Sequence, residues 1–246
     1  MVVAFSMYSR IPMPHIEWTK ENMRYSLCWF PAVGCAIGVL EWLWYLFASH
    51  LGLGLVFRTA VQILLPVLIT GGIHLDGLLD TADALSSHQS KEKKLEILKD
   101  SHTGAFAIIA CCAFFVLWFG AWSETESHAV YVLLIGFCLS RALSGFGVTA
   151  ILPAKGSGLA YTFRESADRD RCKKILMLEI IICAFFMVLI HPLIGSCCVA
   201  LALMVFIACR AMAMRLFGGT TGDLQGFFLC MCELVMTCTA ALVQHI

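Results

Sequence analysis

The sequence predicts an all-α integral membrane protein, about seven transmembrane helices in one bundle, with active-site loops on the cytoplasmic face. Three observations carry this. Hydrophobic residues make up 60% of the chain and charged residues 14%, with a mean hydropathy of +0.84, which lies outside the soluble globular class. Seven apolar runs approach the length that a hydrocarbon core of about 30 Å requires. Lysine and arginine collect in alternate connections between those runs, as the positive-inside rule expects of a multi-pass protein.

The first run covers residues 28–48 and follows Arg10, Lys20 and Arg24. The second, 55–73, is separated from the third, 104–122, by Lys91, Lys93, Lys94 and Lys99. Residues 123–128 carry only acidic charge and lead to the fourth run, 129–152. A basic connection containing Lys155, Arg164, Arg169, Arg171, Lys173 and Lys174 precedes the fifth, 175–191. The fifth and sixth (193–209) are short and meet at His191-Pro192, so the pair reads as a tilted or re-entrant hairpin. Arg210 and Arg215 precede the seventh, 227–243. This pattern predicts a multi-pass protein of the cytoplasmic membrane with the N-terminus in and the C-terminus out.

Residues 1–246 read as a single polytopic membrane domain, without a soluble appendage, internal repeat or long linker. Arg10, Pro12 and Pro14 stand where a cleavable signal would need a long apolar region, so none is expected. The 13 cysteines lie mostly inside apolar runs and show no paired CxxC spacing, which argues against a zinc site or a disulfide framework. The formal net charge is zero, so no general attraction for acidic or basic partners follows, and no nucleic-acid partner is expected. The lipid bilayer is the expected surrounding, and a homo-oligomer is compatible with the sequence.

The chemistry concentrates in GGIHLDGLLDTAD, residues 71–83. On a helix, Asp76, Asp80 and Asp83 at i, i+4 and i+7 share one narrow sector. Two carboxylates about 4 Å apart repel by roughly 4 kcal/mol at an effective dielectric near 20, so a cation belongs among them. Mg²⁺ takes few carboxylates and leaves sites for substrate phosphates. This segment is expected to extend the second span into the interface. Residues 91–99, KEKKLEILK, suit a short surface helix whose Lys91, Lys93 and Lys94 face lipid headgroups. Asp100 or Ser101 would cap the third span; alternatively Asp100 returns to the face of the triad, and four carboxylates converge.

Arg141 is an ionisable residue inside the fourth run, placed either in an ion pair or, as preferred, on a substrate phosphate. Lys155 in LPAKGSG, 152–158, sits among glycines that let backbone amides approach an anion. Thr221 and Asp223 in GGTTGD, 218–223, offer hydrogen bonds and a carboxylate, and Glu233 is an intramembrane carboxylate. Among the histidines, His74 and His102 neighbour the aspartates and read as substrate-binding rather than as ligands. A divalent-cation transporter built on the same carboxylates is the rival reading. A transporter would spread ionisable groups through the middle of several spans, whereas here they gather at one face.

Several segments together resemble one family: GGIHLDGLLDTADAL, LEILKDSHTGAFA, SRAL, LPAKGSGLA and GGTTGDLQG, with FSMYSRIPMP and FPAVGCAIG at the start. This is the integral membrane cobalamin 5'-phosphate synthase family, also called adenosylcobinamide-GDP ribazoletransferase. The likeness runs through nearly the whole chain in consistent order. His102, Gln225, Phe227 and Cys230 depart from the family pattern. The resemblance implies a Mg²⁺-dependent transfer of adenosylcobinamide phosphate from adenosylcobinamide-GDP to alpha-ribazole or its 5'-phosphate, releasing GMP. Asp76, Asp80 and Asp83 would then hold the metal, and Asp83 or Asp100 would act as general base. His74, His102, Arg141, Lys155, Thr221, Asp223 and Glu233 would contact substrate. On this reading Asp80→Ala abolishes turnover while membrane insertion is preserved, and charge reversal at Lys93 does much less. Equal loss in both variants, measured on membrane-inserted protein, would show that the site has been misread.

Overall fold

The computed structural model describes residues 1–100 and 102–246; Ser101, one of the two expected caps, lies outside them. Every regular element among the described residues is helical. In chain order these are α1 (Val2–Tyr8), α2 (Lys20–Met23), α3 (Phe30–His50), α4 (Leu55–Thr70), α5 (Ile73–Ser86) and α6 (Lys91–Ile97). They continue with α7 (Ala105–Glu124), α8 (Ser127–Ala150), α9 (Leu159–Ser166), α10 (Arg169–Ile190), α11 (Pro192–Met212) and α12 (Gly222–Val243).

α8 and α12 form the centre. α3 and α10 pack along α8, while α5, α7 and α11 pack along α12. Between apolar helices in a bilayer, burial of apolar surface supplies little drive, so association relies on close packing of small residues. α8 carries Gly136, Ser140 and Ser144 at four-residue intervals, all buried, which keeps one of its faces narrow. Large apolar side chains point outward instead, among them Ile109, Val116, Ile181, Phe185, Met204 and Ile207. Buried polar groups such as Glu41, Gln62, Arg141 and Glu233 lie inside.

The structure differs from the sequence expectations at several points. Five helices are long and apolar enough to cross a membrane: α3 with its leading turn, α7, α8, α11 and α12. The α4–α5 pair makes a sixth if it counts as one broken span. By length and apolarity α10 falls outside this count, because Lys173, Lys174 and Glu179 interrupt its apolar stretch, so the expected seven is not established. The run at 175–209 is also not a short hairpin. α10 and α11 have 22 and 21 residues, about 33 and 32 Å at 1.5 Å per residue, and His191 caps α11 by accepting from the amide of Ile194.

Another difference matters most for the site. The aspartate segment does not extend the second span: α4 stops at Thr70 and α5 leaves at 93°. Gly71 and Gly72 both adopt positive φ, +65° and +79°, a left-handed conformation that side chains disfavour. Two such residues in succession end one helix and redirect the next. The apolar run continues through this break, so composition alone hides it. α6 is the expected short helix, capped by Ser90, with Lys91 and Lys93 exposed but Lys94 buried rather than facing headgroups.

Candidate active site

α5 crosses α12 where two glycines meet. A Cβ on Gly77 would stand 2.6 Å from the carbonyl oxygen of Asp223 and 3.1 Å from Cα of Gly226; one on Gly226 would stand 3.0 Å from the carbonyl oxygen of His74. Any larger residue forces the helices apart. The crossing sets the aspartates of α5 against the first turn of α12, so that Asp80 lies within charge–charge range of Asp76, Asp83, Asp223 and Lys155. Asp223 in turn feels Lys155 and Asp76. Asp223, expected as a substrate contact, therefore joins the carboxylate group.

Asp83 has a different employment. Its Oδ2 accepts from the amide of Gly104 at 2.5 Å, and its Oδ1 accepts from that of Ala107 at 2.9 Å. These are orphan amides at the start of α7, so Asp83 caps that helix from a neighbouring one. Asp100, expected to return to the triad, is exposed and accepts from the backbone amide of His102 at 3.0 Å and pairs with its ring Nδ1 at 2.7 Å. Those contacts hold its carboxyl below the usual range, the amide foremost. His102 is itself exposed, and neither residue lines the cavity described below.

The two glycine-containing loops are joined. The amide of Ala154 donates to the Thr220 carbonyl at 2.9 Å and that of Thr220 to the Leu152 carbonyl at 2.8 Å, a short parallel bridge between Pro153 and Thr220. This brings Lys155 to Asp223. Burial lowers the affinity of the Lys155 ammonium for its proton, and Asp223 and Asp80 oppose that shift. Thr221 is the N-cap of α12: its Oγ1 accepts from the Leu224 amide at 3.2 Å and donates to Asp223 Oδ2 at 3.2 Å. The start of this helix is electropositive and presents unpaired amides.

Asp76, Lys155, Thr221 and Asp223 line one wall of a 460 Å³ cavity. Ser144 and Gln225 continue that wall. Ser144 Oγ donates to Gln225 Oε1 at 3.0 Å, and Gln225 Nε2 donates to Thr220 Oγ1 at 2.9 Å. Neither was singled out from sequence; the available signal was that Ser144 follows Arg141 by three residues, about one helical turn.

Arg141 and Glu233 form a buried ion pair across α8 and α12. Arg141 Nη1 also donates to the Phe137 carbonyl at 3.1 Å and to Ser140 Oγ at 3.0 Å, and Ser140 Oγ donates to Glu233 Oε1 at 3.0 Å. Arg141 is 1% exposed, and neither member lines the 460 Å³ cavity. The structure thus gives Arg141 the ion pair rather than the preferred phosphate contact, and Glu233 a charge partner rather than a substrate contact. His74 is buried between the two regions and borders both the large cavity and a 20 Å³ void beside Arg141 and Glu233.

The donor chemistry suits an oxygen-seeking divalent cation, since Asp76, Asp80 and Asp223 carry hard carboxylate oxygens and Asp80 lies within charge–charge range of the other two. Among the described residues no three His, Cys, Asp or Glu side chains could enclose a metal ion by themselves. Two carboxylates completed by substrate phosphates are the arrangement that Mg²⁺ commonly accepts.

The model of the family described as cobalamin-5-phosphate synthase matches residues 1–241. A relative named adenosylcobinamide-GDP ribazoletransferase from Lachnoclostridium phytofermentans is 43% identical over 95% of this chain and 89% of its own length. Proteins of the same name from Clostridium botulinum (strain Alaska E43 / Type E3) and Geobacillus sp. (strain WCH70) are 33% and 32% identical. They cover 98% and 87% of this chain, and 96% and 84% of their own lengths. No solved structure matches the chain.

The Arg141–Glu233 pair yields a test of structural role. Removing one partner strands a buried charge, a loss of about 3–5 kcal/mol, whereas replacing both with apolar residues is often neutral. Arg141→Met and Glu233→Leu are each expected to lower the thermal unfolding temperature in detergent sharply, and the double variant to recover most of the loss. Additive losses would deny the pairing.

Proposed function

The chain belongs to the cobalamin-5-phosphate synthase family, and we propose that it is an adenosylcobinamide-GDP ribazoletransferase acting late in assembly of the cobalamin nucleotide loop. It transfers adenosylcobinamide phosphate to alpha-ribazole or its 5'-phosphate and releases GMP. The observation that carries the site assignment is the meeting of Asp76, Asp80, Asp223 and Lys155 from three segments distant in sequence.

The reaction forms a bond between a ribose oxygen of the acceptor and the phosphorus on the corrinoid side of the diphosphate. It breaks the bond from that phosphorus to the bridging oxygen, which leaves with GMP. Positioning and charge neutralisation supply most of the catalysis in such transfers. Asp76 and Asp80 would hold Mg²⁺ at the diphosphate. When bound, the cation offsets charge on the attacking and leaving oxygens. Lys155 places its ammonium against phosphate oxygens, and the open amides at the start of α12 add a second positive contact.

Asp223 takes the proton of the attacking hydroxyl, its carboxylate oriented by the Thr221 hydroxyl. Asp83 acts at one remove, by fixing the start of α7 to α5. The transport reading loses support because Glu233, the intramembrane carboxylate it relies on, is matched to Arg141. The apolar outer surface of the bundle is covered by lipid. Crossings by α10 and by the bent α4–α5 pair, added to the other five, give the odd number that an N-in, C-out chain needs. The site then faces the cytoplasm.

Purified protein in lipid nanodiscs is expected to release GMP from adenosylcobinamide-GDP only when alpha-ribazole or its phosphate and Mg²⁺ are present, and to stop with excess EDTA. Asp223→Asn should reduce kcat by at least about 100-fold, in the range of a lost general base. Release without an acceptor, or undiminished in EDTA, would contradict this scheme.

A further inference from the structure

The 460 Å³ cavity has a second set of lining residues that the phosphate chemistry does not use. Besides Asp76, Lys155 and Asp223 the cavity is lined by Tyr8, Phe30 and His74, and by Leu27 and Val148. The three rings adjoin one another: centroids are 4.2 Å apart for Tyr8 and Phe30, 5.7 Å for Phe30 and His74, and 6.4 Å for Tyr8 and His74. They come from α1, α3 and α5, so the cluster is built by tertiary packing and not by one helix face. A lining that joins an aromatic cluster to polar and charged groups suits a ligand that is flat and apolar at one end and hydroxylated at the other.

Size decides between the substrates. At 460 Å³ the cavity is in the class that holds one small ligand, the scale of a single nucleoside rather than of a whole corrinoid with its nucleoside diphosphate. Two nucleoside parts take part in the reaction, the guanosine of the donor and the acceptor. Guanine presents a polar edge of donors and acceptors that Phe30, Leu27 and Val148 cannot pair, and the amide of Gln225 in the same lining is already engaged with Ser144 and Thr220. The fused aromatic base of alpha-ribazole presents a largely apolar outline, which they can cover.

Resting on the transferase reading above, we propose that the cavity is the acceptor site. Tyr8, Phe30 and His74 hold the aromatic base of alpha-ribazole, and its ribose reaches toward Asp223. The corrinoid remains outside, and only the diphosphate of the donor enters, on the Lys155 side. Tyr8 is then a specificity-determining residue contributed by the first helix, and the acceptor binds without the donor.

The test measures KM for each substrate separately in nanodiscs, together with binding of alpha-ribazole and of GMP alone by calorimetry. Tyr8→Ala should raise KM for alpha-ribazole at least tenfold, with KM for adenosylcobinamide-GDP unchanged within twofold. Tyr8→Phe should restore the acceptor KM, which a merely unstable helix would not do. Wild-type protein should bind alpha-ribazole in the absence of corrinoid. A rise confined to adenosylcobinamide-GDP, or aromatic-site binding of GMP that Tyr8→Ala removes, would place guanine there and overturn the assignment while leaving the transferase reading intact. Equal effects on both KM values, or none, would overturn it also. Folded wild-type protein that neither binds nor converts alpha-ribazole would overturn both.

Discussion

Two helices that meet at glycine can approach far more closely than two that meet at leucine, and the site depends on one such meeting. Gly77 of α5 and Gly226 of α12 leave no room for a Cβ between the backbones. Asp76 lies next to one and Asp223 three residues from the other, so the closeness of the backbones becomes closeness of the carboxylates. The left-handed pair Gly71–Gly72 makes this meeting geometrically available, because α5 must turn 93° from α4 to lie across α12. The positions of Lys155 and Thr221 follow from the same constraint, since the loop leading into α12 carries Thr220, whose backbone holds the Lys155 loop.

Below the carboxylates, the Arg141–Glu233 pair ties the two central helices together. An ion pair inside an apolar bundle is costly to assemble and costlier to break singly, so it fixes the register of α8 against α12 more than it adds net stability. That register sets Ser144 of α8 against Gln225 of α12, and Gln225 reaches back along its own segment to Thr220. A polar seam thus runs from the bundle interior to the rim. The placement of Asp83 has a similar logic: a carboxylate from α5 satisfies the amides that begin α7 and ties that helix to α5.

Much of this was legible in the sequence. The i, i+4, i+7 spacing of Asp76, Asp80 and Asp83 identified the locus, and the glycine loops announced Lys155 and Asp223. The break at Gly71–Gly72 was hidden because apolar residues continue on both sides of it, and hydropathy does not register a change of direction. Arg141 and Glu233 each stood out as ionisable residues in apolar runs, yet nothing local states that residues 92 positions apart neutralise one another. Asp100 was expected at the triad from antiparallel connectivity alone, which fixes the end of a bundle but not the direction of a side chain. Tyr8 lies in FSMYSRIPMP, which carried only the family likeness; its place beside Phe30 and His74 arises only when α1 folds against α3 and α5.

The central claim is that Asp76 and Asp80 on α5 and Asp223 on α12 form one charged locus that accepts a divalent cation with the donor diphosphate. Electron paramagnetic resonance of Mn²⁺, titrated into nanodisc-embedded protein with adenosylcobinamide-GDP and no acceptor, tests it most directly. The account predicts saturable binding in the wild type, weakened at least tenfold by Asp76→Asn and by Asp80→Asn but little changed by Asp100→Asn. Binding that ignores Asp76 and Asp80, or that depends on Asp100 instead, would contradict it.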